Sequence, residues 1–231
     1  MRVGVLALQG NVERHRTVLS SLGAEPVEVR TPRDLEAVEA LVLPGGESTT
    51  MSMLLESSGL WPSLRTAVKD GMPMLGTCAG MILLADRISD GRPDQQSLGA
   101  LDIAVKRNGF GRQAQSFECD LTLDVASSVS GERWDAAGSN AVSEAGSGTG
   151  PDRSPGSATT VRAVFIRAPL VEEVGPAVEV LARLPEGYGP NAGSPVLCRQ
   201  GAVLVSSFHP ELSGETAVHR LLVGSADVGR R

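Results

Sequence analysis

Short apolar runs recur along the first third of the chain, and most are followed by residues with helical spacing. Residues 2–8 (RVGVLAL) read as a buried strand. Residues 11–22 then carry Val12, Val18, Leu19 and Leu22 on one side, as an amphipathic helix would. Short strands are predicted near residues 27–29 and over 40–43, followed by helices over about 49–58 and 62–69. Next comes Pro73-Met-Leu-Gly-Thr-Cys78-Ala-Gly80, a short buried strand running into a turn of small residues, with a helical pattern, 81–85, directly behind it. Alternation of this kind predicts an α/β fold of three layers, a mostly parallel sheet with helices on both faces. From residue 101 the pattern becomes richer in strands, at 103–107, 117–125, 162–166, 178–184, 195–199 and 203–208, and an amphipathic helix follows over 216–222. These later strands are expected to extend the same sheet in antiparallel fashion, giving one domain over residues 1–231.

One segment breaks the pattern. Residues 126–160 are rich in Ser, Gly and Ala, contain Pro151 and Pro155, and have almost no apolar periodicity. Such a stretch buries too little surface to offset its ordering entropy, so a flexible surface insertion anchored by Trp134 is expected. A smaller Gly/Pro-rich loop covers 185–195.

Composition narrows the function classes. Of the 231 residues, 41% are hydrophobic and 21% charged, which is the balance of a soluble globular protein. A formal net charge of -6 with no Lys/Arg run argues against nucleic acid or a membrane surface as partner. No apolar run is long enough to cross a bilayer, and the first strand turns polar at Gln9 rather than continuing as a signal-peptide core. The three cysteines, Cys78, Cys119 and Cys198, are widely spaced with no CxxC pair. That spacing suits a reducing cytoplasm and supplies no metal site.

Candidate chemistry gathers where the predicted strands end, as expected of a parallel sheet. Cys78 occupies the apex of a strand-to-helix turn flanked by Gly76, Ala79 and Gly80. A thiol there stands clear of the sheet above a helix N-terminus, the setting of a nucleophile elbow. The plainer reading is a buried structural cysteine. The strand 203–208 ends in His209-Pro210-Glu211, where His209 can serve as base and Glu211 can orient it. Taken alone, that tripeptide is a turn with a solvated Glu; paired with Cys78 it forms a candidate triad. The loop Pro44-Gly-Gly-Glu-Ser-Thr-Thr50 lacks the G-K-[ST] of a phosphate loop. It offers an oxyanion-hole N–H from Gly46, polar recognition through Glu47, and Ser48 or Thr49 as helix cap. The Ala79 N–H is the natural second oxyanion donor. Arg107 and Arg112, in Arg107-Asn-Gly-Phe-Gly-Arg-Gln113, are placed to grip a carboxylate or to lie solvated on a surface loop. Arg167 ends another strand and reads as structural. His15, between Arg14 and Arg16, is expected to be solvated, and His219 to pack or lie at the surface. Cys119 and Cys198 are expected to be inert core thiols.

In this order the motifs resemble the class I, or triad, glutamine amidotransferases, whose fold is flavodoxin-like. The strings that carry the resemblance are Leu6-Ala-Leu-Gln-Gly10, Leu43-Pro-Gly-Gly-Glu-Ser-Thr-Thr-Met51, Gly76-Thr-Cys-Ala-Gly80, Arg107-Asn-Gly-Phe-Gly-Arg-Gln113, Ser116-Phe-Glu118, Phe165-Ile-Arg-Ala-Pro169 and Ser207-Phe-His-Pro-Glu-Leu212. The Gly-Thr-Cys-Ala-Gly elbow is common to a broad superfamily. The glutamate-serine and arginine-rich strings are more specific, and are similar to those of the glutaminase subunits of pyridoxal 5'-phosphate synthases. The resemblance implies hydrolysis of L-glutamine, with Cys78 as nucleophile, His209 as proton shuttle and Glu211 orienting it. It implies a glutamine site made by Gly46, Glu47, Ser48, Arg107, Ile166 and Arg167, with Arg112 supporting or facing a partner. It also implies a barrel-shaped synthase subunit as partner in a hetero-oligomeric complex, docking close to the Gln9-Gly10 loop. No metal and no cofactor belong to this subunit, pyridoxal 5'-phosphate being the product of the complex. The insertion and the loop after Leu184 are longer than in the compact form of the family.

Three alternatives stay open on the sequence. One is a triad glutaminase that feeds a different synthase, for example in histidine biosynthesis. A second is a cysteine hydrolase of the same fold that does not use glutamine. A third is a non-catalytic binding subunit, although such proteins usually lack a triad member and this chain has all three.

Overall fold

The computed structural model describes residues 1–92, 94–110, 116–124 and 159–228, with the side chains of the last two left aside. In chain order the elements are β1 (Arg2–Leu6), α1 (Val12–Ser21), β2 (Glu25–Val29), α2 (Pro32–Glu36), β3 (Ala40–Leu43), α3 (Ser48–Ser57), α4 (Leu60–Lys69), β4 (Met74–Thr77) and α5 (Ala79–Leu84). Then follow β5 (Ala85–Ile88), β6 (Leu101–Lys106), β7 (Phe117–Leu123), β8 (Thr159–Phe165), β9 (Leu170–Val174), β10 (Glu179–Arg183), β11 (Pro195–Gln200), β12 (Val203–Ser206) and α6 (Ala217–Val228).

Seven strands form the central sheet in the order β10-β11-β12-β4-β3-β1-β2. The run from β12 to β2 is parallel, and β10 and β11 extend it antiparallel through β12. The parallel strands at the centre are buried on both faces, so they read as continuous apolar runs. Alternate residues still serve different layers. Leu41 and Leu43 of β3 join one core with residues of α3, α4 and α5, while Ala40 and Val42 join a second core with residues of α1 and α6. The short α2 is set by a capping box in which Thr31 and Asp34 satisfy each other's backbone N–H groups.

Two expectations need correction. The strands near residues 103–107, 117–125 and 162–166 do not extend the main sheet. β6 lies in a separate sheet between β5 and β9, and β7 pairs with β8 as a two-stranded ribbon. Each small sheet covers one face of the central sheet, β6 supplying Leu101, Ile103 and Val105 to the first core and β7 and β8 supplying Leu121, Val161 and Phe165 to the second. Thr159 and Thr160 already belong to β8, so that strand begins inside the span expected as insertion. The rest of that span from Ala126, including Trp134, lies outside the described residues, as does Arg112.

All four Phe residues and Tyr188 form one connected group of rings. Phe117 stacks on Phe165 at 4.5 Å between centroids, Phe110 and Tyr188 flank the pair, and Phe208 meets Phe165 at 5.7 Å. The group ties the β7–β8 ribbon to the end of β12, immediately before His209.

Candidate active site

The strands β1, β3, β4 and β12 run parallel, so their carboxyl ends bring residues 7–10, 44–47, 78 and 207–211 to one edge of the sheet. Cys78 occupies the turn between β4 and α5 with φ 50° and ψ -103°. Only Cys78 and Arg167 among the described non-glycine residues have positive φ, and both lie here. Such backbone costs on the order of 1–3 kcal/mol per residue and persists only where its surroundings hold it. The Cys78 N–H donates to the Ser206 carbonyl at 2.8 Å, which pins the elbow to β12. The turn also needs glycine at position 80, because a Cβ there would lie 2.0 Å from the Leu43 carbonyl oxygen. That close approach lets α5 start against the end of β3.

His209 follows β12, and its N–H donates to the Val164 carbonyl of β8 at 2.9 Å. Its Nδ1 lies 2.8 Å from Glu211 Oε1, with both residues buried. Burial alone would push the His209 pKa down. Hydrogen bonds to Cys78 and Glu211, with the Glu211 charge, overcome it and hold the pKa at about 10. Burial likewise opposes the Glu211 carboxylate, and the His209 hydrogen bond more than offsets it, so the Glu211 pKa stays below its ordinary value. The Cys78 thiol also approaches the Ile166 carbonyl at 4.0 Å. Gly45 fits against this pair without room for a side chain: a Cβ would lie 2.3 Å from His209 Cε1 and 3.3 Å from Cys78 Cβ.

The loop after β3 is held from two sides. The Glu47 N–H donates to Gln9 Oε1 at 3.1 Å, and the Gln9 side chain lies along Gly46. The helix cap of α3 is Glu47 rather than Ser48 or Thr49. Its carboxylate accepts from the Thr49 and Thr50 N–H groups at 3.1 and 2.7 Å and from Arg107 Nη2 at 2.9 Å. Burial works against that charge, but the Thr50 and Thr49 hydrogen bonds prevail and bring the Glu47 pKa to about 2. Ser48 is buried, and its hydroxyl accepts from Gln95 Nε2 at 3.2 Å. Arg107 is half-buried, its N–H donating to Asp90 at 2.6 Å, whereas the Arg167 side chain is exposed. Cys78, His209 and Glu211 thus lie together, with Ile166 and the glycine loop beside them. Glu47 and Arg107 form an ion pair at the rim.

His15 is not solvated, and His219 is not at the surface. Both are fully buried, with His15 Nδ1 2.8 Å from His219 Nε2 and His15 Nε2 3.5 Å from Glu211 Oε2. His15 occupies a place on the apolar face of α1 beside Val18 and Leu19, and its spacing from Val12 was the available signal. Burial depresses both imidazoles, His15 to about 4 and His219 to about 3; Glu211 partly opposes this and the other histidines add to it. Cys119 and Cys198 lie buried in the core, where burial raises their pKa values to about 11 and 12.

The buried histidines set a pH response. In the unfolded chain each takes a proton near pH 6.5, while in the fold each refuses it until about pH 4 or 3. Between those values the unfolded state binds more protons, so stability falls as pH drops from 6.5 through 4. The expected loss is on the order of several kcal/mol. His209 acts in the opposite window: its contribution is complete below pH 6.5 and is lost as pH rises through about 10. Urea midpoints at neutral pH and near pH 4 test the first effect, and equal midpoints would contradict it.

A family model described as "SNO glutamine amidotransferase family" matches residues 5–132 and 155–227. The chain is 48% identical over 221 residues to a protein of Rhodococcus jostii named "Pyridoxal 5'-phosphate synthase subunit PdxT", covering 96% of this chain and 95% of the relative. A protein of the same name from Acidothermus cellulolyticus is 49% identical over 222 residues, covering 96% and 92%. A crystal structure of a glutamine amidotransferase superposes with a TM-score of 0.76 at 40% identity, covering 97% of this chain and 98% of that one. The structure of PurLQS from Thermotoga maritima shares the fold, with a TM-score of 0.64 at 18% identity and 98% of each chain covered.

Proposed function

The chain belongs to the SNO glutamine amidotransferase family, and on that premise we propose that it hydrolyses L-glutamine to L-glutamate and ammonia. The ammonia passes to a synthase subunit that assembles pyridoxal 5'-phosphate, the activity named for its relatives. The observation that carries the reading is the meeting of Cys78, His209 and Glu211 at the adjacent ends of β4 and β12, with Glu211 2.8 Å from His209.

In this mechanism the Cys78 sulfur attacks the side-chain amide carbon and the carbonyl oxygen becomes an oxyanion. The backbone N–H groups of Gly46 and Ala79 receive that charge. His209, held as a cation by Glu211, gives its proton to the departing nitrogen, so the C–N bond breaks and ammonia leaves a thioester on Cys78. The neutral imidazole then takes a proton from water, whose oxygen attacks the thioester. The proton returns to the sulfur side of the site as glutamate departs. Three side chains and water close this cycle, so the reading includes no cofactor and no metal. Gly46, Glu47, Ser48, Arg107, Ile166 and Arg167 surround the glutamine backbone and amide. Because its Nη2 already holds Glu47, Arg107 fixes the rim while presenting its remaining donors.

We take residues 1–231 as one amidotransferase domain working in the cytoplasm. Among the described residues no helix is long and apolar enough to cross a membrane. The test is ammonia release from glutamine by the purified chain, alone and mixed with a pyridoxal 5'-phosphate synthase subunit. Weak hydrolysis that rises sharply on mixing is expected. Hydrolysis indifferent to that subunit would assign the ammonia to another synthase, and none in its presence would overturn the reading.

A further inference from the structure

Behind the triad lies a second set of buried polar groups that this mechanism leaves unused. Helix α1 supplies His15, helix α6 supplies His219, and β4 supplies Thr77, whose Oγ1 is 3.5 Å from His15 Nε2. Together they back the outer oxygen of Glu211, which has no hydrogen-bonding partner closer than the 3.5 Å approach of His15.

Two proton arrangements are open to the histidine pair. If His15 donates from Nδ1 to His219, its Nε2 turns a lone pair toward the Glu211 carboxylate. His219 then buries an N–H at Nδ1, an atom without a partner. If His219 donates from Nε2, His15 carries its proton on Nε2, aimed at Glu211 Oε2. His219 then keeps only a lone pair at Nδ1. Opposed lone pairs and an orphaned buried donor are each costly, so the second arrangement is favoured.

We propose that His15 is a positioning residue of the triad: as a neutral imidazole set by His219, it steadies the outer oxygen of Glu211 so that the inner oxygen stays on His209. The charged and titratable groups facing it are Glu211, His209 and His219. Neutrality is essential to the role, because a cation at position 15 would compete with His209 for the same carboxylate. Burial supplies that neutrality. The inference rests on the glutaminase reading above.

The test compares kcat, KM and the pH profile of glutamine hydrolysis in His15→Leu, His15→Asn and His15→Gln, each assayed with the synthase subunit. A glutamine amide reaches the place of Nε2 and keeps the donor to Glu211, whereas an asparagine amide reaches only the place of Nδ1. His15→Leu and His15→Asn should lose about 10- to 100-fold in kcat with KM changed less than about twofold. Their alkaline limb should move to lower pH as His209 loses its steadied partner. His15→Gln should keep kcat within about threefold and the limb in place. Wild-type kcat and pH profile in the Leu and Asn variants, or equal loss in Asn and Gln, would overturn the inference. If His15→Leu fails to fold, the Asn–Gln contrast decides alone. An inactive wild-type control would instead overturn the glutaminase reading.

Discussion

Replacing Cys78 by alanine should reduce ammonia release from glutamine to background, a loss on the order of 10⁵-fold or more. A thioester needs a thiol, and the other two, Cys119 and Cys198, are buried in β7 and β11, so the whole covalent route disappears rather than slowing. The fold should survive. Alanine keeps the same Cβ at φ 50°, and the backbone N–H still donates to Ser206. Circular dichroism and the thermal midpoint should match wild type, and association with the synthase subunit should persist, because the thiol is almost wholly buried. A residual rate within tenfold of wild type would remove Cys78 from the mechanism.

The second large effect is expected from a single methyl group. In Gly45→Ala the new Cβ would lie 2.3 Å from His209 Cε1 and 3.0 Å from Nδ1. The ring has little freedom to yield, since its Nδ1 holds Glu211 and its backbone is bonded to β8. Relief must come from turning the imidazole away from Cys78 or from shifting the loop. A displacement near 1 Å at a reacting group costs about 10²-fold, so kcat should fall by about 10²- to 10³-fold. Overpacking should also cost about 1–3 kcal/mol of stability, measurable by urea unfolding. If Gly45→Ala hydrolyses glutamine within threefold of wild type, the close contact with His209 has no catalytic meaning.

How much of this was legible depends on the range of the interactions involved. β3 appears in the sequence to the residue, because its continuous apolar run reports burial on both faces. The convergence of Cys78, His209 and Glu211 was legible as well, since strand ends and chemically competent residues are local signals. The partners of the later strands were not. A strand's own pattern says that one face is covered, but β6 and β7 look alike whether they extend the main sheet or lie across it. His15 was misread for the same reason. Its neighbours Glu13, Arg14 and Arg16 make the segment look solvated, while the partner that makes burial tolerable, His219, is 204 residues away. Glu47 reads in the sequence as a recognition residue with Ser48 or Thr49 as the cap, whereas its carboxylate caps α3 and pairs with Arg107, 60 residues on. Gly45 carries no local mark: its lack of a side chain matters only once His209 stands against it.

The sheet order has a consequence for how the protein is made. β12 lies between β4 and β11, so one of the last strands to leave the ribosome fills a position beside the strand that carries Cys78. Until residues beyond Glu211 emerge, β4 has an open apolar edge, and Cys78 lacks both its base and the carbonyl that pins its turn. A stalled or truncated nascent chain therefore exposes a sticky strand, a hazard that falls to chaperones. It cannot, however, consume glutamine. Topology alone thus ties activity to synthesis past β12 and Glu211, and a chain halted before them releases no ammonia away from an acceptor.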